Sequence, residues 1–209
     1  MLLRPRGARA VLVLAHGAGA GMRHAFMEAF ARALAARGVA TWRYEFPYMA
    51  AGRKRIDPPA VIEDTVRSAV TDAAGVAPGL PLLAGGKSFG GRMTSQAQSR
   101  APLPGVRGLV FAGFPLHPAG RPGTSRADHL AEVALPMLFL QGTRDALAPL
   151  DRLRPVIDRF GRRATLHVVD DADHGFHVRK SSGRDDDGVI EELAEAVLGW
   201  SVRTRIVPA

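Results

Sequence analysis

The stretch Pro81-Leu-Leu-Ala-Gly-Gly-Lys-Ser-Phe-Gly-Gly-Arg92 decides how the whole chain is read. Its first four residues are a short apolar run of the kind that makes a buried strand. A helix-like segment follows to about Arg100, and between the two lies Gly86-Lys87-Ser88-Phe89-Gly90, the pattern G-x-S-x-G. A serine in a sharp strand-to-helix turn needs glycines around it, because only residues without a side chain let the two backbones come so close. The turn lifts the hydroxyl above the sheet edge, and the helix N-terminus then points at negative charge developing there. Gly86-Lys87-Ser88 is also how a phosphate-binding loop ends. That loop requires glycine at position 81, which is proline, and an open segment where Leu82-Leu83-Ala84 reads as a strand.

The same strand-then-helix rhythm runs outward in both directions. Upstream, Val11–Ala15 is an apolar run ending in His16-Gly-Ala-Gly-Ala-Gly21. Phe26, Met27, Phe30 and Leu34 recur at helical spacing between His24 and Arg37, Gly38 stops that helix, and Val39–Phe46 reads as a strand. Pro58 and Pro59 open a helix with Ile62, Val66, Ala69 and Val70 on one stripe. Downstream, Val106–Phe111, Pro136–Gln141 and Ala164–Val169 read as strands, with helices at Pro149–Phe160 and Gly188–Ser201. Continuous apolar runs of this kind fit parallel strands buried on both faces. The expectation is an α/β fold in which helices cover both faces of a mostly parallel central sheet of about six or seven strands. With no linker and no internal repeat, one domain over residues 1–209 is expected.

Composition narrows the class. The chain has 209 residues, 46% hydrophobic and 23% charged, which leaves no room for a disordered, collagen-like or coiled-coil reading. It has no cysteine, so a disulfide scaffold, a thiol nucleophile and a thiolate zinc site are all excluded. Three arginines precede the apolar run at Ala10–Ala15, but that run is shorter than a signal-peptide core, and no stretch is long enough to span a bilayer. A cytoplasmic location and no membrane partner are expected. The net charge is +8 and almost all of it is arginine, since only Lys54, Lys87 and Lys180 are lysines.

A serine hydroxyl needs a base, and the base needs a group to orient it. In this fold the order along the chain is serine, then an acid, then histidine, each in a loop after a later strand. Asp145 follows the strand Pro136–Leu140 in Gln141-Gly-Thr-Arg-Asp145, and His174 follows Ala164–Val169 in Asp170-Asp-Ala-Asp-His174. Both fall at carboxyl ends of strands, where open α/β sheets place their sites. Asp170, Asp171 and Asp173 compete with Asp145 but crowd the histidine locally, and Asp145 by itself reads as an ordinary turn residue. His167 lies inside a strand; His177 is the second choice of base. Two backbone N–H donors are needed for the oxyanion, expected from Phe89 and from Ala18 in the glycine-rich loop, with Gly19 beside it.

Together, His16-Gly17-Ala18-Gly19, the turn at Ser88, Gly142-Thr-Arg-Asp145 and Asp173-His174-Gly175 resemble the serine-type α/β-hydrolases. The compact size is similar to bacterial hydrolases near the dienelactone hydrolases. Glu45-Phe-Pro-Tyr-Met49, Gly85–Arg92 and Phe139–Asp145 more closely resemble the group named after human testis-expressed protein 30. The resemblance runs from about Val11 to Trp200. It implies the α/β-hydrolase fold and esterase-like chemistry, without a settled substrate. It departs from the dienelactone hydrolases in lacking their cysteine nucleophile, and the two leading strands of larger hydrolases are mostly missing.

The interval from about Ala112 to Leu135 is where many lipases carry a lid. Here it holds only a loop and one short helix over Ser125–Val133, so no lid domain is expected. Phe46, Tyr48, Met49, Phe89, Phe114, Leu116 and Phe176 fall at strand ends and are the expected walls of a partly apolar pocket, with Gly19 also at the substrate. Arg53-Lys54-Arg55 and Lys87 read as solvated charge before they read as an anion site, and no aromatic residues interleave with a basic stripe as nucleic-acid stacking requires. The expected function is hydrolysis of a small ester or thioester through an acyl-enzyme on Ser88, by a monomer or homodimer with no cofactor, no metal and no nucleic-acid partner. A non-catalytic binding scaffold is the alternative.

Overall fold

The apolar runs form a seven-stranded sheet in the computed structural model, which describes residues 1–208. Five strands were placed within a few residues by their patterning: β2 (Ala10–Ala15), β3 (Val39–Tyr44), β5 (Val106–Ala112), β6 (Met137–Gly142) and β7 (Ala164–Val169). A sixth, β4 (Leu82–Lys87), continues past the apolar run through Gly85 and Gly86 up to the serine. The first strand, β1 (Leu2–Leu3), lies in the arginine-rich N-terminus and pairs antiparallel with β3 at the edge. Two residues with charged neighbours give no periodicity, so this strand had no signal in the sequence.

Strand order is β1-β3-β2-β4-β5-β6-β7, with every pair except β1·β3 parallel. All six residues of β2 are buried, and they alternate between two cores. Val11, Val13 and Ala15 face helices α3 (Pro59–Val76), α4 (Phe89–Arg100) and α5 (Leu150–Asp158). Ala10, Leu12 and Leu14 face α1 (Ala25–Ala36) and α6 (Asp186–Arg203). Double-sided burial is why these strands read as unbroken apolar runs. A one-turn helix α2 (Pro47–Ala50) follows β3, and a short 3₁₀ helix, Ser125–Glu132, stands where a helix was expected between β5 and β6.

The sheet reverses its winding between β2 and β4. The chain moves from β2 outward to β3, then returns to lay β4 along the other side of β2, with Ala15 opposite Gly86. The loops leaving the carboxyl ends of β2 and β4 therefore diverge, and the crevice between them is where open α/β sheets receive ligands.

Candidate active site

Ser88 sits at the end of β4 with φ 48° and ψ −113°, in the left-handed half of backbone space that a serine rarely adopts. Strain of this kind costs about 1–3 kcal/mol and persists only where the surroundings fix it. Here the Ser88 N–H donates to the Ala112 carbonyl at 2.9 Å, and the Ser88 carbonyl accepts the first helical bond, from Arg92 N at 3.1 Å. The next turn packs against β2 so tightly that a Cβ on Gly90 would lie 2.5 Å from the His16 carbonyl oxygen.

The side chains that meet the serine come from the loops after β6 and β7. His174 Nε2 lies 2.8 Å from Ser88 Oγ, and His174 Nδ1 lies 2.7 Å from Asp145 Oδ2. Asp145 also accepts from Gln141 Nε2 at 2.6 Å and from the Leu147 N–H at 2.8 Å. Burial by itself pushes this carboxyl up; the hydrogen bond and charge of His174, with the Leu147 N–H and Gln141, outweigh it and hold it below the ordinary aspartate value. An ionised carboxylate has no proton to give, so it accepts Nδ1–H and leaves the Nε2 lone pair facing the serine hydroxyl.

The competing aspartates have other partners. Asp171 is held by Arg179, whose Nε is 2.7 Å from Oδ1, and its own N–H donates to Thr143 Oγ1. Asp173 accepts from the N–H groups of Gly175 and His177 and so shapes the loop that carries His174. His177 turns away to Asp186 at 2.6 Å, and His167 to Glu192 at 2.7 Å.

The loop after β2 is tied from inside. The Phe46 N–H donates to His16 Nε2 at 3.1 Å, which leaves the proton on Nδ1 to be donated to the Gly17 carbonyl at 2.8 Å. Burial lowers the pKa of His16, in keeping with that neutral tautomer. Ala20 N–H closes a turn onto Gly17 O at 3.3 Å, with Gly19 at φ +77° in the position of a type II turn that favours glycine. Ala18 and Phe89 both line the cavity above Ser88; Gly19 supplies the turn and is not among the lining residues.

That cavity holds about 660 Å³. Of the aromatic wall expected from the sequence, Phe89 and Phe176 line it. Phe46, Tyr48, Phe114 and Leu116 do not: they are fully buried in the core under α3–α5, where Phe46 stacks on Tyr48 and Phe114 packs on Phe111. Met49 packs against the same core. This corrects the expectation, and the reason is geometric. A place at the carboxyl end of a strand fixes height above the sheet, not the direction in which the side chain turns. Phe26, Met27 and Ile190, from the stripes of α1 and α6 that read as core, supply the apolar wall instead.

Lys87, which reads in the sequence as the variable residue of the serine turn and as solvated charge, is instead half-buried beside the loop that carries His174. Its ammonium donates to the His174 carbonyl and lies beside the stacked rings of Phe26 and Phe176, 5.6 and 5.1 Å from their centroids. Burial lowers its pKa to about 8, against the opposing charges of Asp145 and Asp173. Two arginines in the cavity wall, Arg92 and Arg126, had no distinguishing signal among so many. Among the described residues no cluster of three or more histidine or carboxylate side chains could hold a metal ion, and no helix is long and apolar enough to cross a membrane.

Residues 8–202 match the sequence model of a family described as an alpha/beta hydrolase domain. Among solved structures, the chain is similar to dienelactone hydrolase from Anabaena variabilis, with a TM-score of 0.75 and 18% identity over 97% of this chain and 89% of that one. It is also similar to a Xanthomonas campestris protein described as a serine hydrolase without a lid, with a TM-score of 0.73 and 21% identity over 100% and 88%. A serine hydrolase homologue from Coxiella burnetii gives 0.72 and 20% over 95% and 89%. At these identities the structural likeness is one of fold.

Proposed function

The chain belongs to the alpha/beta hydrolase domain family, and on that premise we propose that it is a serine hydrolase cleaving small ester or thioester substrates, acting as one domain over residues 1–209. The observation that carries this reading is the unbroken relay from Ser88 Oγ through both nitrogens of His174 to the buried Asp145 carboxylate. Ser88 Oγ attacks the substrate carbonyl carbon while its proton passes to His174 Nε2. Asp145 keeps the Nδ1 proton in place and stabilises the imidazolium that forms. The carbonyl oxygen, now an oxyanion, is held by the N–H groups of Phe89 and Ala18. Phe89 opens α4, where the first N–H groups have no acceptor inside the helix.

Collapse of this intermediate releases the alcohol or thiol, which takes the proton from His174 and leaves the acyl group on Ser88. Water then attacks the acyl-enzyme, again giving a proton to His174 Nε2, and the carboxylic acid departs as Ser88 regains its proton. Every step uses groups of this chain and water.

The test is labelling of the purified protein with a fluorophosphonate probe, alongside hydrolysis of short p-nitrophenyl esters. The expected result is stoichiometric labelling and turnover in the wild type, both lost in Ser88→Ala. A wild-type protein that neither labels nor cleaves any of these esters would falsify the proposal and leave a binding scaffold.

A further inference from the structure

The cavity above Ser88 has two unlike flanks. On the α1 and α6 side it is lined by Phe26, Met27, Phe176 and Ile190, with Asp186 and Asp187 at the rim. On the α4 side it is lined by Arg92 and by Arg126, which projects from the 3₁₀ helix Ser125–Glu132.

Arg92 is one helical turn beyond Ser88, so it rises on the same face of α4. Its guanidinium lies over the Phe89 ring, 5.7 Å from the centroid, and its Nη1 donates to Gln96 at 3.2 Å. Its Nε is buried without a partner. Arg126 is half-buried, and neither guanidinium makes an ion pair among the described residues.

Other arginines drawn into the fold are answered. Arg37 pairs with Glu191 and Arg184 with Glu192, while Arg67 donates to the carbonyls of Ala97 and Ala101. Arg92 and Arg126 instead face one another's charge. Burial first, and then Arg126, lowers the pKa of Arg92 to about 10, so it stays charged at neutral pH. The neighbouring groups do not relieve this. His129 accepts or donates at Ser95 Oγ, 2.7 Å away, and burial with the Arg92 charge keeps it neutral, at about 4. Asp128 is exposed, and of the two carboxylates at the far rim of the cavity Asp186 is engaged by His177 and Asp187 is exposed. Two half-buried guanidiniums without an ion-pair partner, in the wall of the cavity above Ser88, are arranged for an anion that arrives with the ligand.

We propose that Arg92 and Arg126 form an oxyanion-recognising subsite, so that the substrate is an ester or thioester carrying a carboxylate or phosphate group apart from the scissile carbonyl. This rests on the hydrolase reading above. The planar guanidinium donors grip the substrate's charged end while Ser88 meets its carbonyl, and the apolar flank receives the remaining chain.

Matched substrates test it. A carboxylate on the acyl side is compared as p-nitrophenyl hemiglutarate against p-nitrophenyl valerate, and a phosphonate as the 4-phosphonobutanoyl ester. A carboxylate on the leaving side is compared as 4-acetoxyphenylacetate against its methyl ester. The expected result is that one charged ester exceeds its neutral match in kcat/KM by at least about tenfold, which identifies both the anion and its side. That ratio falls to about one in Arg126→Gln and in Arg92→Gln, and is partly kept in Arg126→Lys. As a second arm, glutarate and inorganic phosphate are added to Ser88→Ala protein. At least one of them raises its melting temperature, and the shift disappears when Arg126→Gln is added. A preference for neutral esters throughout, or a preference for charge that survives both glutamine variants, overturns the subsite. Should the wild type prove inert toward every ester and the probe, the hydrolase reading falls, and the melting-temperature arm alone decides the anion site.

Discussion

The loop after β7 presents two histidines three residues apart, and both offer Nδ1 to an aspartate, at 2.7 Å for His174–Asp145 and 2.6 Å for His177–Asp186. The two pairs are alike in length and unlike in setting. The side chains of His174 and Asp145 are 28% and 1% exposed, and those of His177 and Asp186 are 71% and 50% exposed. His174 has a serine hydroxyl at its second nitrogen; His177 stands at the cavity rim. A hydrogen-bonded imidazole becomes a candidate base only when its acid is locked in place and its free nitrogen meets a group that can give up a proton. The surface pair has the first half of that arrangement and not the second.

The sharpest way to break this contrast is to remove the inner pair. Ser88→Ala or His174→Ala is expected to lower kcat for p-nitrophenyl esters by about 10⁴–10⁶-fold, read in steady-state assays with active-site titration of the wild type. Asp145→Asn, which keeps the shape but reverses the preferred tautomer, is expected to cost about 10⁴-fold in kcat while leaving KM within a few fold.

Lys87 supports the inner pair by donating to the His174 carbonyl. In Lys87→Met the histidine loses that tether, and kcat is expected to fall about 10–100-fold, as small misplacements of catalytic groups do. The same substitution has a stability signature of definite sign. The folded protein holds the lysine at about 8, below its ordinary 10.5, so between those values the unfolded chain binds more protons. Stability of the wild type therefore gains from this group as pH rises through that window, whereas below about 8 the penalty of burying the charge is fully present. Urea titrations from pH 8 to 10.5 should show this rise in the wild type and its loss in Lys87→Met.

The outer pair gives the smallest effects. His177→Ala is expected to change kcat/KM by less than about fivefold, since an exposed pair contributes at most about 1 kcal/mol. The Asp186 hydrogen bond raises His177 above 6.5, and the His177 hydrogen bond lowers Asp186 below 3.8. The histidine's contribution is complete below 6.5 and fades as pH rises through its folded value. The aspartate's is complete above 3.8 and fades as pH falls through its own. The stability difference between wild type and His177→Ala should therefore peak between about pH 4 and 6.5 and shrink on both sides. An effect on turnover as large as that of His174→Ala would abolish the distinction between the two pairs.

How much of this was legible depended on whether the cue was local. The turn at Ser88 announces itself because a strained serine needs small neighbours within a few residues in sequence. The order of serine, acid and histidine follows from chain direction in a parallel sheet. The wall was misread where orientation mattered. Phe46, Tyr48 and Phe114 stand at the right height but turn into the core, while Phe26, Met27 and Ile190 belong to helical stripes that look like any buried face.

By itself, then, the sequence determined the layering of the sheet, the placement of Ser88 and the loops from which its partners come, because strand burial, glycine sterics and chain order are properties of near neighbours. Only the tertiary structure decided that Asp171 is taken up by Arg179 and His177 by Asp186, that Phe26, Met27 and Ile190 wall the cavity, and that two arginines among many face it without an ion-pair partner. Those outcomes depend on groups distant in the chain competing for the same hydrogen bonds and the same buried volume, and that competition is settled only when the elements pack.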